Sequence, residues 1–356
     1  MLEHGGKLRS AAQHYGIQLD NWLDLSTGIN PQSYPIQTIN PLCWQRLPED
    51  NDGLEAAATA YYGNDRLLVL PGSQAAIQIL PTLFKPAVVA FLAPIYEEHP
   101  LAWQRAGHQL RRLPSLRRAL AATTPIVLLC NPNNPTATTL PREALLEAAA
   151  QLNNRGGWLI VDEAFADPEM ANGATDFTGL ASLAGSAEAP RLIVLRSLGK
   201  FFGLAGARVG FILGAAEKLD QLREAIGPWP VAHPSRAVAR EALSDVAWQT
   251  AARKRLTTSS LRLADCLAPL GEVKRTALFC TLSMAEETAT IATSTTNPTS
   301  AASNEQQLDA LFEHFARRAI LTRRFAQHGL LRFGLPGNET EWRRLSTAIE
   351  EWGRIN

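Results

Sequence analysis

The chain is poor in cysteine: Cys43, Cys130, Cys266 and Cys280 stand far apart with no CxxC spacing, which points to neither a zinc site nor a disulfide framework. It also lacks an excess of either charge. Lys and Arg total 34, Asp and Glu total 34, and the formal net charge is zero. No global field is available to hold DNA, RNA or an anionic bilayer, so nucleic acid and membrane partners are not expected. Long hydrophobic runs are missing as well. Stretches such as AVVAFLAP and RLIVLRSLGKFFGLAGARVGFILG are cut by Pro, Arg, Lys or Gly well before the roughly 20 apolar residues of a membrane helix. The opening MLEHGGKLRS carries Glu3, His4, Lys7 and Arg9 where a signal peptide needs an apolar core, and a cytoplasmic location is expected. No internal repeat is visible.

What is present is a large apolar fraction, 46% of 356 residues, enough for one large domain and a smaller one. From about 66 to 213, short apolar runs alternate with segments of helical period: LLVL, AVVAFL, IVLLC, WLIVD, RLIVL and ARVGFIL. That pattern predicts an α/β fold with a mostly parallel sheet sandwiched by helices. In such sheets ligands sit at the carboxyl ends of the strands. The polar motifs fall there: PGSQ after LLVL, NPNNPT after IVLLC, DEAF after WLIV and SLGK after RLIVLR.

After about 228 the texture changes. GPWPVAHPS introduces Ala-rich and Arg-rich helical segments, and the end of the chain reads as a small α+β unit: strand TALFCTLSM, helix EQQLDALFEHFARR, strands AILTRRF and LLRFGL, and helix ETEWRRLSTAIEEW. The expected organisation is an arm with part of the small domain over 1–45, a large domain over 46–228 and a small C-terminal domain over 229–356. Within the last, 288–303 is a low-complexity Thr/Ala/Ser insertion, expected to be a surface segment without function.

Lys200, beyond a buried strand and among small residues, suits a desolvated amine nucleophile, and equally a snorkelling surface lysine. Ser197 and Arg208 flank it and suit a phosphate clamp. Asp162 ends a buried strand, where a carboxylate requires a cationic partner such as a protonated pyridine nitrogen, or else caps the next turn. Asn134 sits in a stiff proline-rich turn and offers a side-chain donor, with ordinary turn chemistry as the alternative. Gly72, Ser73 and Gln74 open a helix whose N–H groups suit a phosphate, as many such turns do. Together and in this order these are the parts pyridoxal 5'-phosphate needs.

The sequence resembles fold-type I pyridoxal-phosphate enzymes of the aminotransferase class I/II superfamily over nearly its whole length. HGGKLRSAA, LDLSTGINP at 23–31, VDEAFADP at 161–168 and SLGKFFGLAGARVG at 197–210 are similar to the cobalamin-biosynthesis branch of threonine-phosphate decarboxylases, relatives of histidinol-phosphate aminotransferases. The resemblance implies a Schiff-base role for Lys200 and Asp162 as partner of the ring nitrogen. It implies Asn134 on the phenolic oxygen, Ser73, Ser197 and Arg208 on the phosphate, and Tyr96 stacked on the cofactor. His4, Gly5, Asn30, Arg323 and Arg332 would bind substrate, whereas Arg324 is expected to face solvent. Phe165 stands where aminotransferases usually have Tyr, as in the decarboxylase branch. Leu47 replaces a Tyr that commonly reaches a partner subunit's phosphate site. The resemblance further implies a homodimer, no metal, and decarboxylation of a phosphorylated amino acid, L-threonine O-3-phosphate. The alternatives are transamination of a phosphorylated amine such as histidinol phosphate, and a non-catalytic relative that serves as a binding partner.

Overall fold

A computed structural model describes residues 4–169, 179–284 and 298–355. The chain divides into two compact units. One comprises the chain up to Gln32, Pro135–Ala137 and the chain from Arg255 onward; the other comprises Ser33–Asn134 and Thr138–Lys254.

Strand β1 (Leu23–Asp24) belongs to the first unit. The second is built on seven strands: β2 (Leu67–Leu70), β3 (Val88–Leu92), β4 (Gln109–Leu113), β5 (Ile126–Cys130), β6 (Trp158–Asp162), β7 (Leu192–Ser197) and β8 (Gly210–Leu213). They form one sheet in the order β2-β8-β7-β6-β5-β3-β4. The unbroken apolar runs in β5 and β7 are buried at every residue, as expected of strands covered on both faces. Phe91, Leu128, Ile160, Ile193 and Leu195 join Ile77, Leu80 and Trp103 from the covering helices in one core.

Pairing is parallel from β7 through β6, β5 and β3 to β4, and antiparallel where β8 meets β7 and β2. The reversal has a local cause. The connection from Ser197 to Gly210 holds only a short 3-10 turn, Ala205–Ala207, too little for the crossover helix that a parallel return requires. β4 is absent from the expected strands because its sequence, QLRRL, is mostly polar, with Gln109, Arg111 and Arg112 exposed; it is one of the sheet's two edges.

The expected domain limits at 45 and 228 shift to 32 and 254. Residues 33–45 go with the large unit, where the Tyr34 N–H donates to the Phe202 carbonyl at 2.8 Å and its ring packs on Trp248. Residues 229–254 do so as well. Helix His233–Ser244 packs on helix Leu54–Tyr62, and buried Arg236 donates to both Asp52 and Glu55 at 2.7–2.9 Å. The prolines near 228 mark a turn between helices of one unit.

In the first unit, β9 (Glu272–Arg275), β10 (Phe279–Ser283), β12 (Arg323–Phe325) and β13 (Leu330–Gly334) form an antiparallel sheet in the order β12-β13-β10-β9. β11 (Ile320–Leu321) pairs in parallel with β1. The run AILTRRF, expected as one strand, therefore serves two sheets, changing over at Thr322. Helix Pro298–Ala316 begins before the expected EQQLDALF segment, so the end of the low-complexity stretch is helical; 288–297 lie outside the described residues. No helix among the described residues is long and apolar enough to cross a membrane.

Candidate active site

The strand register brings the polar motifs of the large unit to one edge. Cys130 pairs with Asp162, Asp162 with Leu195, Ser197 with Gly210, and Gly210 with Leu70. The carboxyl ends of β2, β5, β6 and β7 and the start of β8 therefore lie side by side. The reversed β8 delivers Arg208 to this edge although Arg208 precedes its strand.

At the β2 end, Gly72 has φ +77°, a left-handed conformation that glycine adopts freely. A Cβ added there would lie 2.6 Å from Arg208 Nη2, and one added at Gly210 would lie 2.3 Å from the Ser73 nitrogen. Arg208, itself at φ 53°, thus sets its guanidinium against the bare backbone at the start of helix Ser73–Ile79. A guanidinium, backbone N–H groups, the Ser73 hydroxyl and the nearby Ser197 form a donor set for a phosphate. Gln74 is expected to offer its backbone N–H rather than its side chain. Its side chain is occupied, donating to Glu98 at 3.0 Å and accepting from the half-buried Tyr96 hydroxyl at 3.4 Å, which leaves its backbone N–H to serve a phosphate.

At the β6 end, Asp162 is buried, with Oδ2 2.8 Å from His99 Nε2 and Oδ1 accepting the Ala164 N–H at 3.0 Å. With the carboxylate ionised, His99 is the donor. Cys130 lies close by; its thiol, His99 and Asp162 bring three donor atoms within 4.8 Å of one another. Burial, and secondarily Asp162, push the Cys130 thiol well above its ordinary range. A buried carboxylate braced by an imidazole suits a protonated ring nitrogen. His99 has no role in the sequence reading, because nothing local in the chain reveals that its imidazole meets Asp162, 63 residues away.

Lys200 follows β7 in a loop closed by the Leu198 N–H on the Val209 carbonyl and the Leu204 N–H on the Leu198 carbonyl. Its Nζ is 5.3 Å from the centre of the Phe165 ring. Asn134 is half-buried; its neighbour Asn133 is fixed by donating to the Pro94 carbonyl at 2.9 Å. The expected cofactor residues thus all belong to the large unit, and they fit pyridoxal phosphate in donor type at each strand end.

The expected substrate residues all belong to the other unit. Gly5 is pressed on Ser26, since a Cβ there would be 2.3 Å from the Ser26 oxygen, and the Gly6 N–H donates to Ser26 Oγ at 2.7 Å. Buried Arg332 donates to the same Ser26 carbonyl at 2.8 Å, joining HGG, LDLSTGINP and β13. Arg323 is the direct cross-strand partner of Arg332, and both guanidiniums lie over Phe325, at 5.0 and 5.6 Å from its centre. Like charges opposed across a ladder cost stability, partly offset here by the aromatic face, and the pair is suited to an anion. Arg324 points to the other face and is not simply solvated: its Nε is 2.6 Å from Asp309. Asn30 is buried, its Oδ1 accepting the Gln32 N–H at 3.0 Å, while His4 is exposed.

Residues 47–292 match the model of the aminotransferase class I and II family, and the chain belongs to that family. Its likeness extends further in one direction. The chain is 45% identical to the threonine-phosphate decarboxylase of Pseudomonas aeruginosa, over 98% of its own length and 97% of the relative's. It is 32% identical to a histidinol-phosphate aminotransferase of Shewanella amazonensis, over 64% of this chain and 66% of that one. In fold it is similar to the histidinol-phosphate aminotransferase of Sinorhizobium meliloti, solved with pyridoxal-5'-phosphate, with a TM-score of 0.78, 18% identity, and coverage of 100% and 99%.

Proposed function

We propose that this protein is a pyridoxal-phosphate enzyme that decarboxylates L-threonine O-3-phosphate to (R)-1-aminopropan-2-ol O-phosphate and carbon dioxide, a step toward cobalamin. The observation that carries the reading is the near full-length likeness to a decarboxylase of that substrate, with two cross-strand arginines suited to a doubly anionic molecule.

Pyridoxal phosphate, when bound, supplies an electron sink for whichever bond at the substrate's Cα stands perpendicular to its ring. Asp162, braced by His99, keeps a proton on the ring nitrogen. Gly72, Ser73, Ser197 and Arg208 hold the cofactor phosphate, Asn134 donates to the phenolic oxygen, and Tyr96 covers the ring. Lys200 carries the cofactor at rest and afterwards moves a proton at Cα. Arg323 and Arg332, with His4, Gly5 and Asn30, bind the substrate's anionic groups and so orient its carboxylate for departure. Phe165 supplies no hydroxyl to the phenolic oxygen, in keeping with this branch rather than with transamination.

The protein acts in the cytoplasm as a homodimer in this reading. Ile36, Leu42, Trp44 and Leu47, each 52–70% exposed, lie within twelve residues and form an apolar surface of the kind a second copy covers. Borohydride reduction of the cofactor-loaded protein should place the adduct on Lys200, and Lys200→Ala should abolish turnover. An adduct elsewhere, or an active K200A variant, overturns the assignment. Turnover of histidinol phosphate with 2-oxoglutarate, and none of threonine phosphate, would favour the aminotransferase.

A further inference from the structure

Arg196 stands in the run LIVLRS, whose other members are apolar or close the strand, and it is wholly buried. Alternation along β7 turns its side chain to the face opposite Ser197. There Nη2 meets Glu163 Oε2 at 2.7 Å and Nη1 donates to Asp167 Oδ1 at 3.0 Å. Both carboxylates are fully buried too.

These two acids bracket the loop that follows Asp162. At one end the Glu163 N–H donates to the Leu195 carbonyl at 3.0 Å, and Glu163 Oε1 accepts the Leu180 N–H at 2.6 Å. At the other end the Asp167 carbonyl accepts from Arg253 Nε at 3.1 Å. Phe165, midway, is the ring against Lys200, and Asp162 immediately precedes the loop. Glu163 and Asp167, the two ends of the segment that carries Phe165, are therefore held to β7 by one guanidinium.

Three buried charges are an expensive way to fill space, since hydrocarbon of the same volume often serves stability as well or better. Burial pushes both carboxyl groups above the usual carboxylate range despite Arg196. What a planar two-pronged donor adds is fixed geometry between two carboxylates.

We propose that Arg196, through Glu163 and Asp167, is a positioning residue that sets Asp162 and Phe165 relative to Lys200. The proposal rests on the reading of Asp162 and Lys200 as cofactor residues. It is tested on cofactor-loaded protein with Arg196→Lys, which keeps charge but loses the fork, and with the isosteric Asp167→Asn and Glu163→Gln. Folding is followed by circular dichroism, and the pH midpoint of the bound cofactor's absorbance is read together with kcat and KM. Folded variants should show a shifted midpoint and kcat lowered about tenfold or more, because small misplacements of reacting groups are costly, with KM changed less than twofold. A folded variant with unaltered midpoint and kcat overturns the proposal. Loss of folding in all three also overturns it, by assigning the network to stability alone. Absence of any cofactor band in the unaltered protein would overturn the cofactor reading instead.

Discussion

Three arginines of the small sheet show why residue type and position must be taken together. Arg323, Arg324 and Arg332 look alike in sequence, yet alternation sends Arg324 to Asp309 while Arg323 and Arg332 converge over Phe325. Arg332→Lys should raise KM for threonine phosphate about 10- to 100-fold, because it loses charge-assisted bonds of roughly 1.5–3 kcal/mol. Arg324→Ala should change it less than about twofold, in line with the small worth of a half-exposed ion pair. Steady-state kinetics on both variants check this, and equal effects would refute the distinction. The placement of Asp162, Asn134 and Lys200 at or just beyond strand ends was legible because each is a polar residue at or closely following the end of an apolar run. His99, Glu163, Asp167 and Arg196 were not given their roles, because a brace is defined by what it touches across the fold; only the isolated charge in LIVLRS hinted at it.

At the level of elements, continuous apolar runs announced β2, β3, β5, β6, β7 and β8, whereas the polar edge strand β4 and the short pairing of β1 with β11 carried no such signal. The reversal of β8 was implicit in the lack of a helix between Ser197 and Gly210, and it places Arg208 beside Gly72. That contact makes two glycines unequal. Gly72→Ala would strain a left-handed backbone and push aside the flexible end of Arg208, so the variant should fold but bind pyridoxal phosphate about tenfold more weakly, the worth of one such hydrogen bond. Gly210→Ala would drive a Cβ into the Ser73 backbone, and should lower the melting temperature more than Gly72→Ala does. Cofactor titration and thermal unfolding of both variants test the pair; normal cofactor affinity in G72A would contradict the phosphate clamp.

For the whole molecule, composition and the strand–helix alternation foretold an α/β chain with a smaller α+β part, but not where one unit ends. Prolines at 228–234 suggested a boundary, while the Arg236 cluster and the Trp248 ring hold 229–254 to the large unit. The exposed apolar segment 36–47 belongs to this scale too. If the proposed homodimer forms through this segment, light scattering should show a dimer for the unaltered protein and a monomer for a Leu42→Asp, Trp44→Asp double variant; a monomeric unaltered protein would overturn the dimer, and a dimeric variant would place the interface elsewhere. The central claim is that a carbon–carbon bond is broken rather than a Cα proton removed. It is tested most directly by supplying L-threonine O-3-phosphate labelled at its carboxyl carbon, without any keto acid, to the cofactor-loaded protein. The account predicts all label released as carbon dioxide, with one equivalent of aminopropanol phosphate; label retained in the substrate or in a keto-acid product would contradict it.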